Sequence, residues 1–440
     1  MKVKLLLVVI VFFVILICNN AKAYNLNDAV ITVLQNNEEI QGAKKKLETE
    51  ILKKPKVATE FLPNIALELN QTFHDNRNFN DSSKPIKYHQ GSLILRIEQE
   101  IYSGGSTIAK IAAVDAEINV AYQEYTKMLN GVVYKTIQAY QNVLTARESV
   151  KVQIQNTAMA EKNVKKAKVA VKLGADTKTS LYLAEASFSE VKSRLEDYKV
   201  QQVQAEAYFK YYVGEEAPEK MEGINLKKYK EVPTLKDFKA LVSQKNPDII
   251  EVKNRLKASK QGINIATSEL MPKVSLFGQI LKQDGPIYKG VGRGLSQIRN
   301  DGDTYGIRMT IPVFSRGLGY INISEARKEE KMFEHNLRNT VYAIQAETTS
   351  TWNNYISSDN IYNLLRKAEE NYYKTYLSIQ TEFDVGAKTI SEVIKRQQDY
   401  NHSTIVRLQK EQESKLALFK IYKLIGNLPQ VIKNSASVVK

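Results

Sequence analysis

The sequence has little cysteine and histidine, the side chains that most often carry redox and metal chemistry. Its 440 residues include one cysteine, Cys18, which lies within the segment formed by the first 23 residues. Without that segment the chain has no thiol, which excludes disulfide bonds and cysteine chemistry. The four histidines are His74, His89, His335 and His402, and no two of them have a metal-ligand spacing such as HExxH. We therefore predict no metal, no cofactor and no catalytic residue.

A long apolar run occurs at the amino-terminal end, over Leu5–Ile17. It is short for a transmembrane helix, follows two lysines, and precedes the small-residue sequence Ala21-Lys22-Ala23. This pattern predicts a secretory signal peptide over residues 1–23, cleaved before Tyr24. One alternative is a retained anchor helix. The other is lipidation at Cys18, which is disfavoured by the bulky Ile17 directly before it.

Acidic residues are outnumbered by basic ones, 48 to 63, which gives a formal net charge of +15. An excess of basic over acidic residues can indicate nucleic-acid binding. Here the lysines alternate with acidic residues along helical segments, and the densest cluster, EKNVKKAKVAVK, contains no aromatic residue. This is typical of a solvated helix face. Because an exported protein rarely meets nucleic acid, we predict no nucleic-acid partner.

Most of the remaining sequence consists of two copies of one pattern. The matches at an offset of 209 residues are Asn37-Glu38-Glu39-Ile40 with Asn246-Pro247-Asp248-Ile249, and Leu62-Pro63 with Met271-Pro272. Those at an offset of 212 include EIYSGG with PVFSRG, Gly174 with Gly386, and Gly214 with Gly426. The offset changes where loops lie, and loops tolerate insertions. A coherent offset over this length indicates an internal duplication.

The duplication predicts the organisation of the chain. The segments are a signal peptide at 1–23, a first structural repeat at 24–218, a linker at 219–233, a second repeat at 234–429 and a tail at 430–440. Each repeat begins with a helix behind an N-cap residue, Asn25 or Thr234. A β-hairpin follows, at 64–99 or 273–312, and then a long helical hairpin with its tip near 174 or 386.

Each predicted hairpin helix is unusually long, from about Thr107 to Leu173 and from about Leu318 to Val385. At 1.5 Å per residue such a helix is about 100 Å long, which no compact globular domain contains. Glycine readily adopts the left-handed backbone conformation that ends many helices. Threonine is a favourable N-cap residue for the helix that follows. The two glycine segments therefore predict that the chain reverses at one end of a very long hairpin.

The four predicted strands alternate an apolar and a more polar face. In one of them Leu93, Leu95 and Ile97 alternate with Ser92, Ile94 and Arg96, of which Ser92 and Arg96 are polar. This alternation is typical of a membrane β-barrel with an apolar outer face, whose long loops face the cell exterior. Four strands cannot close a barrel, and open edges in lipid cost several kcal/mol per unpaired backbone group. If the hairpins enter a membrane, several chains must share one barrel, and three chains supply twelve strands. A soluble β-sandwich is the alternative.

Several motifs resemble those of the TolC family of outer membrane factors. They are Asn-Pro-Asp-Ile at 246–249, Ile-Pro-Val-Phe-Ser-x-Gly at 311–317 and Val-Gly-x-x-Thr-Ile-x-x-Val at 385–393, together with Leu-Pro at the first strand. The resemblance covers about Tyr24 to Pro429. It implies an α+β membrane protein: a homotrimer with a shared twelve-stranded transmembrane β-barrel and a coiled-coil barrel of long antiparallel helical hairpins.

The resemblance also implies a location, partners and a function. The location is the outer membrane of a Gram-negative bacterium, with an extension into the periplasm. The partners are outer membrane lipid, a periplasmic adaptor (membrane fusion) protein and an inner-membrane transporter. The function is a passive conduit for efflux or type I secretion of small molecules, proteins or both, and not an enzyme. The alternative is a periplasmic coiled-coil protein, structural or adhesive, without a channel, which would not need the four strands.

The resemblance further implies site residues at the helical tips. Gly174 and Gly386 mark the tips, where the family meets its adaptor. The residues implied at the periplasmic entrance constriction are Glu392, Lys388, Lys395, Phe383, Thr179 and Ser180. Lys395 and Ser180 depart from the family pattern, which has acids there. Glu392 and Lys395 are three residues apart and suited to an ion pair, so an ordinary intrahelical pair on a wet surface is the alternative role.

Overall fold

A computed structural model describes residues 23–76, 86–229, 232–288, 295–297 and 300–437. Nearly all of the predicted signal peptide lies outside the described residues. The helices are α1 Leu26–Asn36, α2 Glu38–Ile51, α3 Lys53–Ala58, α4 Ser106–Lys172, α5 Lys178–Val213, α6 Leu235–Lys245, α7 Pro247–Ser268, α8 Leu318–Asp384, α9 Ile390–Ile425 and α10 Leu428–Ser437. The strands are β1 Asn64–Asn76, β2 Ile86–Tyr102, β3 Lys273–Asp284, β4 Pro286–Tyr288, β5 Leu295–Gln297 and β6 Asn300–Thr310.

The long helical hairpins have matching lengths in the two halves of the chain. Helices α4 and α8 each contain 67 residues, and the returning helices α5 and α9 each contain 36. Both returning helices end at a glycine in the left-handed conformation, Gly214 and Gly426. The predicted rods and their glycine breaks are therefore confirmed.

The first helix of each half is interrupted by an asparagine that the sequence analysis placed inside a continuous helix. Asn37 ends α1 and Asn246 ends α6. Each side chain then accepts a hydrogen bond from a backbone N–H at the start of the next helix, from Ile40 at 3.2 Å and from Ile249 at 3.1 Å. Asparagine favours such caps because its short side chain competes with helical backbone bonds.

The four long strands form one antiparallel sheet in the order β1-β2-β3-β6. The register places Leu67 opposite Leu95, Leu95 opposite Ile280 and Leu276 opposite Ile307. Residues opposite one another share a face, so these side chains form one apolar face, as predicted. The other face carries polar residues, including Arg96 and Glu68, whose side chains are 3.0 Å apart.

The long polar loop predicted at Lys282–Asp303, between β3 and β6, contains a short strand pair, β4 with β5. The predicted loop was therefore too long, and the sequence offered a sign of this: isoleucine and tyrosine at 287 and 288 favour strands. Residues 77–85, 289–294 and 298–299, which include most of both predicted exterior loops, lie outside the described residues.

The chain divides into two units. One comprises the residues up to Lys44, Glu124–Ile249 and those from Val341 on; the other comprises Lys45–Gln123 and Ile250–Thr340. The first unit contains a large apolar core in which Tyr140, Phe209, Phe238 and Phe419 are fully buried. Residues of the predicted tail contribute to this core, since α10 buries Ile432 in it. The second unit contains the sheet. Among the described helices, none is long and apolar enough to cross a bilayer.

The segment predicted as a linker is held against the first unit. Tyr24 forms a parallel β-bridge with Met221. The Tyr140 hydroxyl lies 2.9 Å from the carbonyl oxygen of Tyr24 and 2.7 Å from that of Glu222. Arg147 donates to the carbonyl oxygens of residues 217–219 and to the carboxylate of Glu206. These contacts fix the path of the linker where it leaves the first repeat.

Candidate functional site

Both helical tips have the same backbone geometry. At the first tip the N–H of Gly174 donates to the carbonyl of Val171, and that of Ala175 donates to Ala170. At the second tip Gly386 donates to Phe383 and Ala387 to Glu382. This pair of bonds is the Schellman motif, which needs a left-handed residue and satisfies the last helical carbonyls. Gly174 and Gly386 supply it, with φ of 71° and 81°.

Three residues after each glycine, a threonine starts the returning helix. Thr177 accepts a hydrogen bond from the backbone N–H of Ser180 at 3.3 Å. Thr389 accepts one from the N–H of Glu392 at 3.4 Å, and the Glu392 carboxylate accepts one from the N–H of Thr389 at 3.0 Å. The second tip therefore has a complete capping box. Ser180, the counterpart of Glu392, is too short to reach back in this way.

The Glu392 carboxylate also forms an ion pair with Lys388, which lies just before the start of α9. Its Oε1 lies 3.0 Å from Nζ of Lys388, and both side chains are partly exposed. The hydrogen bond from the backbone of Thr389, followed by the hydrogen bond from the Lys388 side chain, holds the pKa of Glu392 below its ordinary value. In a single chain this shift is opposite to the rise expected where several carboxylates crowd around one axis.

The other predicted site residues lie around this capping box. Lys395 is exposed one turn further along α9, and among the described residues no ion pair joins it to Glu392. Thr179 is exposed in the first turn of α5, and Ser180 is half-buried beside Thr177. Phe383 is partly buried at the end of α8. The tips thus bring Glu392, Lys388 and Thr389 into contact, while Lys395 and Thr179 remain separate from them.

A second apolar core lies directly under the tips. Its buried members come from all four hairpin helices: Ala167, Ala184, Tyr376, Ile390, Val393 and Ile394. The residues just before the two glycines, Leu173 and Val385, are by contrast strongly exposed, at 77% and 76%. The tips therefore combine a packed base with an apolar, solvent-facing end.

Polar contacts join the first hairpin to the second below the tips. Asn163 of α4 donates to Gln397 of α9 at 2.5 Å, and Gln397 donates to the carbonyl of Asn156 at 3.2 Å. All three side chains are buried. Nearer the tip, Lys166 of α4 pairs with Asp384 of α8 and lies 5.6 Å from the centre of the Phe383 ring.

The sequence analysis missed these linking residues because duplication does not mark them. The positions equivalent to Asn163 and Gln397 are Thr375 and Glu185, so the amide pair is not repeated at the equivalent place. In a sequence, a single polar residue on a long helix usually indicates a solvent-exposed position. Only burial in the structure distinguishes these linking residues from exposed polar residues.

The described residues contain no group of three or more His, Cys, Asp or Glu side chains that is arranged to hold a metal ion. The polar groups at the tips are helix caps, amides and ion pairs. Such groups fix the arrangement of helices and present charge to solvent.

Comparisons with known proteins agree with this architecture. BepC, an outer membrane efflux protein of Brucella suis biovar 1, is 20% identical over 341 residues, which are 77% of this chain and 72% of that protein. The outer membrane channel CmeC of Campylobacter jejuni matches with a TM-score of 0.78 at 17% identity, over 93% of this chain and 89% of that one. The outer membrane protein VceC of Vibrio cholerae matches with a TM-score of 0.77 at 15% identity, over 91% and 96%.

The model of one protein family, described as outer membrane efflux protein, matches residues 30–215 and 240–427. The two matched segments together cover most of the chain and include both helical tips and most of the described sheet. The long duplicated hairpins, the four-stranded sheet and the capped glycine turns all occur within them. The chain therefore belongs to the outer membrane efflux protein family, the TolC-type channels of the Gram-negative outer membrane.

Proposed function

We propose that this protein is the outer membrane channel of a tripartite efflux or type I secretion system and works as a homotrimer. Three copies contribute twelve strands to one transmembrane barrel, and their helical hairpins form the periplasmic tunnel. Cargo passes through the lumen, and the energy comes from an inner-membrane transporter. The family assignment supports this function, and the trimer is an inference from the sheet.

The observation that carries the proposal is a sheet with an apolar face and two open edges. Within the described residues, β1 pairs only with β2, and β6 only with β3. Ile307 of β6 is 71% exposed and Leu67 of β1 is 60% exposed. Such a sheet is costly in water, because its apolar face is uncovered, and costly in lipid, because its edges are unpaired. A barrel shared between copies removes both costs.

The helical tips are the proposed contact with a periplasmic adaptor and the proposed tunnel entrance. The exposed Leu173 and Val385 beside Gly174 and Gly386 offer apolar contacts at the extreme end of each hairpin. Glu392, with Lys388, is the proposed source of charge at the entrance. Lys395, Phe383, Thr179 and Ser180 are proposed to line or support it.

Transport without chemistry is the proposed mode of action. The polar clusters of the tips are used in caps and helix-to-helix links. The family and the fold are those of transport channels. A non-channel coiled-coil protein is the less favoured alternative, because it gives no role to the sheet.

Two measurements on the purified protein test the proposal. Native mass spectrometry in detergent should give a mass of three chains, and planar bilayers should show stepwise conductance. A stable monomer without conductance would refute the channel. A trimer that binds membranes but never conducts would favour the structural alternative.

A further inference from the structure

The polar face of the sheet is balanced in charge, although the whole chain is basic, with a formal net charge of +15. The registers place as many acids as bases on this face, on the side away from the apolar residues. With histidine counted as neutral, its charged residues within the described strands are Glu68, Glu98, Glu100, Arg96, Lys273 and Arg308. The balance is therefore a local property of the sheet.

Two ion pairs account for four of these charges. Arg96 of β2 pairs with Glu68 of the neighbouring strand β1 at 3.0 Å. Arg308 of β6 pairs with Glu98 of β2 at 3.4 Å, and to do so it reaches across the strand between them, β3. Each of the four side chains is 40–55% exposed. The pairs therefore lie at the surface of the sheet, where a solute close to the polar face would meet a neutralised charge rather than a bare one.

The Arg308 guanidinium is held in place by an aromatic ring. Its central carbon lies 4.6 Å from the centre of the Phe277 ring, within the range of a cation–π contact. The Phe277 ring in turn lies against Gly306, where an added Cβ would be 3.2 Å from two of the ring carbons. Glycine at 306 thus leaves room for the ring, and the ring together with Glu98 fixes the positive charge over β3.

The arginine bridge, formed by Arg308, Phe277 and Glu98, lies at the end of the sheet that adjoins the helices. Arg308 is two residues from the end of β6, which leads into α8, and Phe277 is four residues from the start of β3, which follows α7. Glu100 and Lys273 occupy the same end of the polar face. Without the charge of Arg308, the acids at this end would be in excess.

We propose that Arg308 is a specificity-determining residue of the channel, because it neutralises the acids on the lumen wall at the helical end of the barrel. The inference rests on the proposed shared barrel, whose interior carries the polar face. With Arg308 present, this part of the wall favours neither cations nor anions. Cargo that carries carboxylate or phosphate groups therefore passes without repulsion from Glu98 and Glu100. The site is separate from the entrance charge proposed at Glu392, so the two contributions to selectivity can be changed separately.

Reversal potentials in planar bilayers, measured across a salt gradient, test the role of Arg308. Arg308→Gln leaves the wall with an excess of acid and should shift the reversal potential towards the value for pure cation permeation. Glu98→Gln should shift it in the opposite direction, and the two changes together should restore the value of the unmodified protein. The shifts should be largest at about 0.01 M salt, where the screening length is about 30 Å, and should vanish at about 1 M, where it is about 3 Å.

Two further variants separate local charge from a change in folding. Lys282→Gln removes the same charge from the apolar face, where Lys282 lies opposite Leu93, and should leave the reversal potential unchanged. Arg308→Cys introduces a single thiol into the predicted mature chain, which has none. A positively charged methanethiosulfonate reagent should restore the original reversal potential of that variant, and a negatively charged one should increase the cation preference further. A misfolded channel would not respond to the sign of the reagent.

The inference and the proposed channel fail differently. Stepwise conductance with a reversal potential that Arg308→Gln does not change would overturn the role of Arg308 and leave the channel intact, with selectivity set at the entrance alone. An equal shift in Lys282→Gln would also overturn it, because the effect would not depend on the polar face. Absence of conductance in the unmodified protein would remove the channel itself, and the inference with it.

Discussion

The side-chain amide of Asn246 donates a hydrogen bond to the carbonyl oxygen of Leu424, 2.8 Å away, just before Gly426 ends α9. Asn37 makes the equivalent bond to Tyr212, just before Gly214, at 3.3 Å. Each asparagine thus starts one helix with its oxygen and satisfies the end of another with its nitrogen. This explains why both repeats carry asparagine at the same place.

Replacing Asn246 with alanine should destabilise the first unit. The change removes a helix cap, worth about 1 kcal/mol, and leaves the buried Leu424 carbonyl without its partner, at a cost of about 1–3 kcal/mol. Asn37→Ala removes the same contacts at a less buried position and should cost less. Denaturant unfolding of the purified protein in detergent measures both. Equal losses, or a larger loss for Asn37→Ala, would contradict this account.

The buried amide pair below the tips predicts a different pattern. Gln397→Leu leaves the Asn163 side chain buried without its partner, and the Asn163 oxygen already has none among the residues that the structure describes. A cost of about 1–3 kcal/mol follows. Adding Asn163→Leu replaces both partners by apolar groups and should restore most of the stability. Thermal unfolding checks the two variants, and a double variant no more stable than Gln397→Leu would argue against the pairing.

The nearby ion pair should contribute less. Asp384 is about half exposed, and exposed pairs contribute roughly 0.2–1 kcal/mol. A double-mutant cycle with Lys166→Met and Asp384→Asn should give a coupling energy in that range, decreasing as salt is added. Coupling above that of the amide pair would mean that the ion pair is the stronger link.

The contact between Tyr140 and the linker predicts a change in protease sensitivity. Burial raises the pKa of Tyr140, so its hydroxyl keeps its proton and remains a donor. Tyr140→Phe removes the one hydroxyl hydrogen that the carbonyl oxygens of Tyr24 and Glu222 share, at a cost of about 0.5–1.5 kcal/mol. Trypsin should then cleave faster after Lys220. Tyr211→Phe, at a tyrosine that is 67% exposed, is the control and should leave the cleavage rate unchanged. Unchanged cleavage in Tyr140→Phe would mean that other contacts, such as those of Arg147, hold the linker.

The sequence alone was sufficient to predict the structural elements whose pattern of residues is periodic or is repeated in the chain. The long helices, the glycine turns and the apolar face of the sheet all follow from spacing that occurs twice. The helix breaks at Asn37 and Asn246 were missed, although the asparagines were part of the matched phrases, because a single polar residue does not interrupt a helical period. The strand pair β4–β5 was missed because its strands are only three residues long.

The tip residues show what resemblance and spacing cannot supply. The sequence analysis paired Glu392 with Lys395 by their separation along the helix. The structure pairs Glu392 with Lys388, because the capping box directs the carboxylate back towards the helix start. The direction in which a side chain points at a helix terminus depends on the cap. The spacing of residues along the sequence does not reveal this direction.

Glu392 therefore has two proposed roles that substitutions can separate. As a cap, its carboxylate stabilises the start of α9; as a charge at the tunnel entrance, it attracts cations. Because its pKa is lowered in the folded chain, the capping contribution is fully present above the unfolded pKa and is lost as the pH falls through the folded pKa. Cation preference should decrease over the same interval, since a protonated carboxyl carries no charge. Single-channel recordings at a series of pH values measure this loss.

Glu392→Gln and Glu392→Ala distinguish the roles. Glutamine at this position of a capping box still accepts the backbone hydrogen bond, so Glu392→Gln should keep trimer assembly and tip stability while it reduces cation preference. Alanine removes both the cap and the charge, so Glu392→Ala should reduce cation preference to the same extent and also increase proteolysis at the second tip. Lys388→Gln is the control for the ion pair: it removes the neighbouring positive charge and should increase cation preference. If Glu392→Gln leaves the ion selectivity of single channels unchanged, the carboxylate serves only as a helix cap, and the entrance charge lies elsewhere.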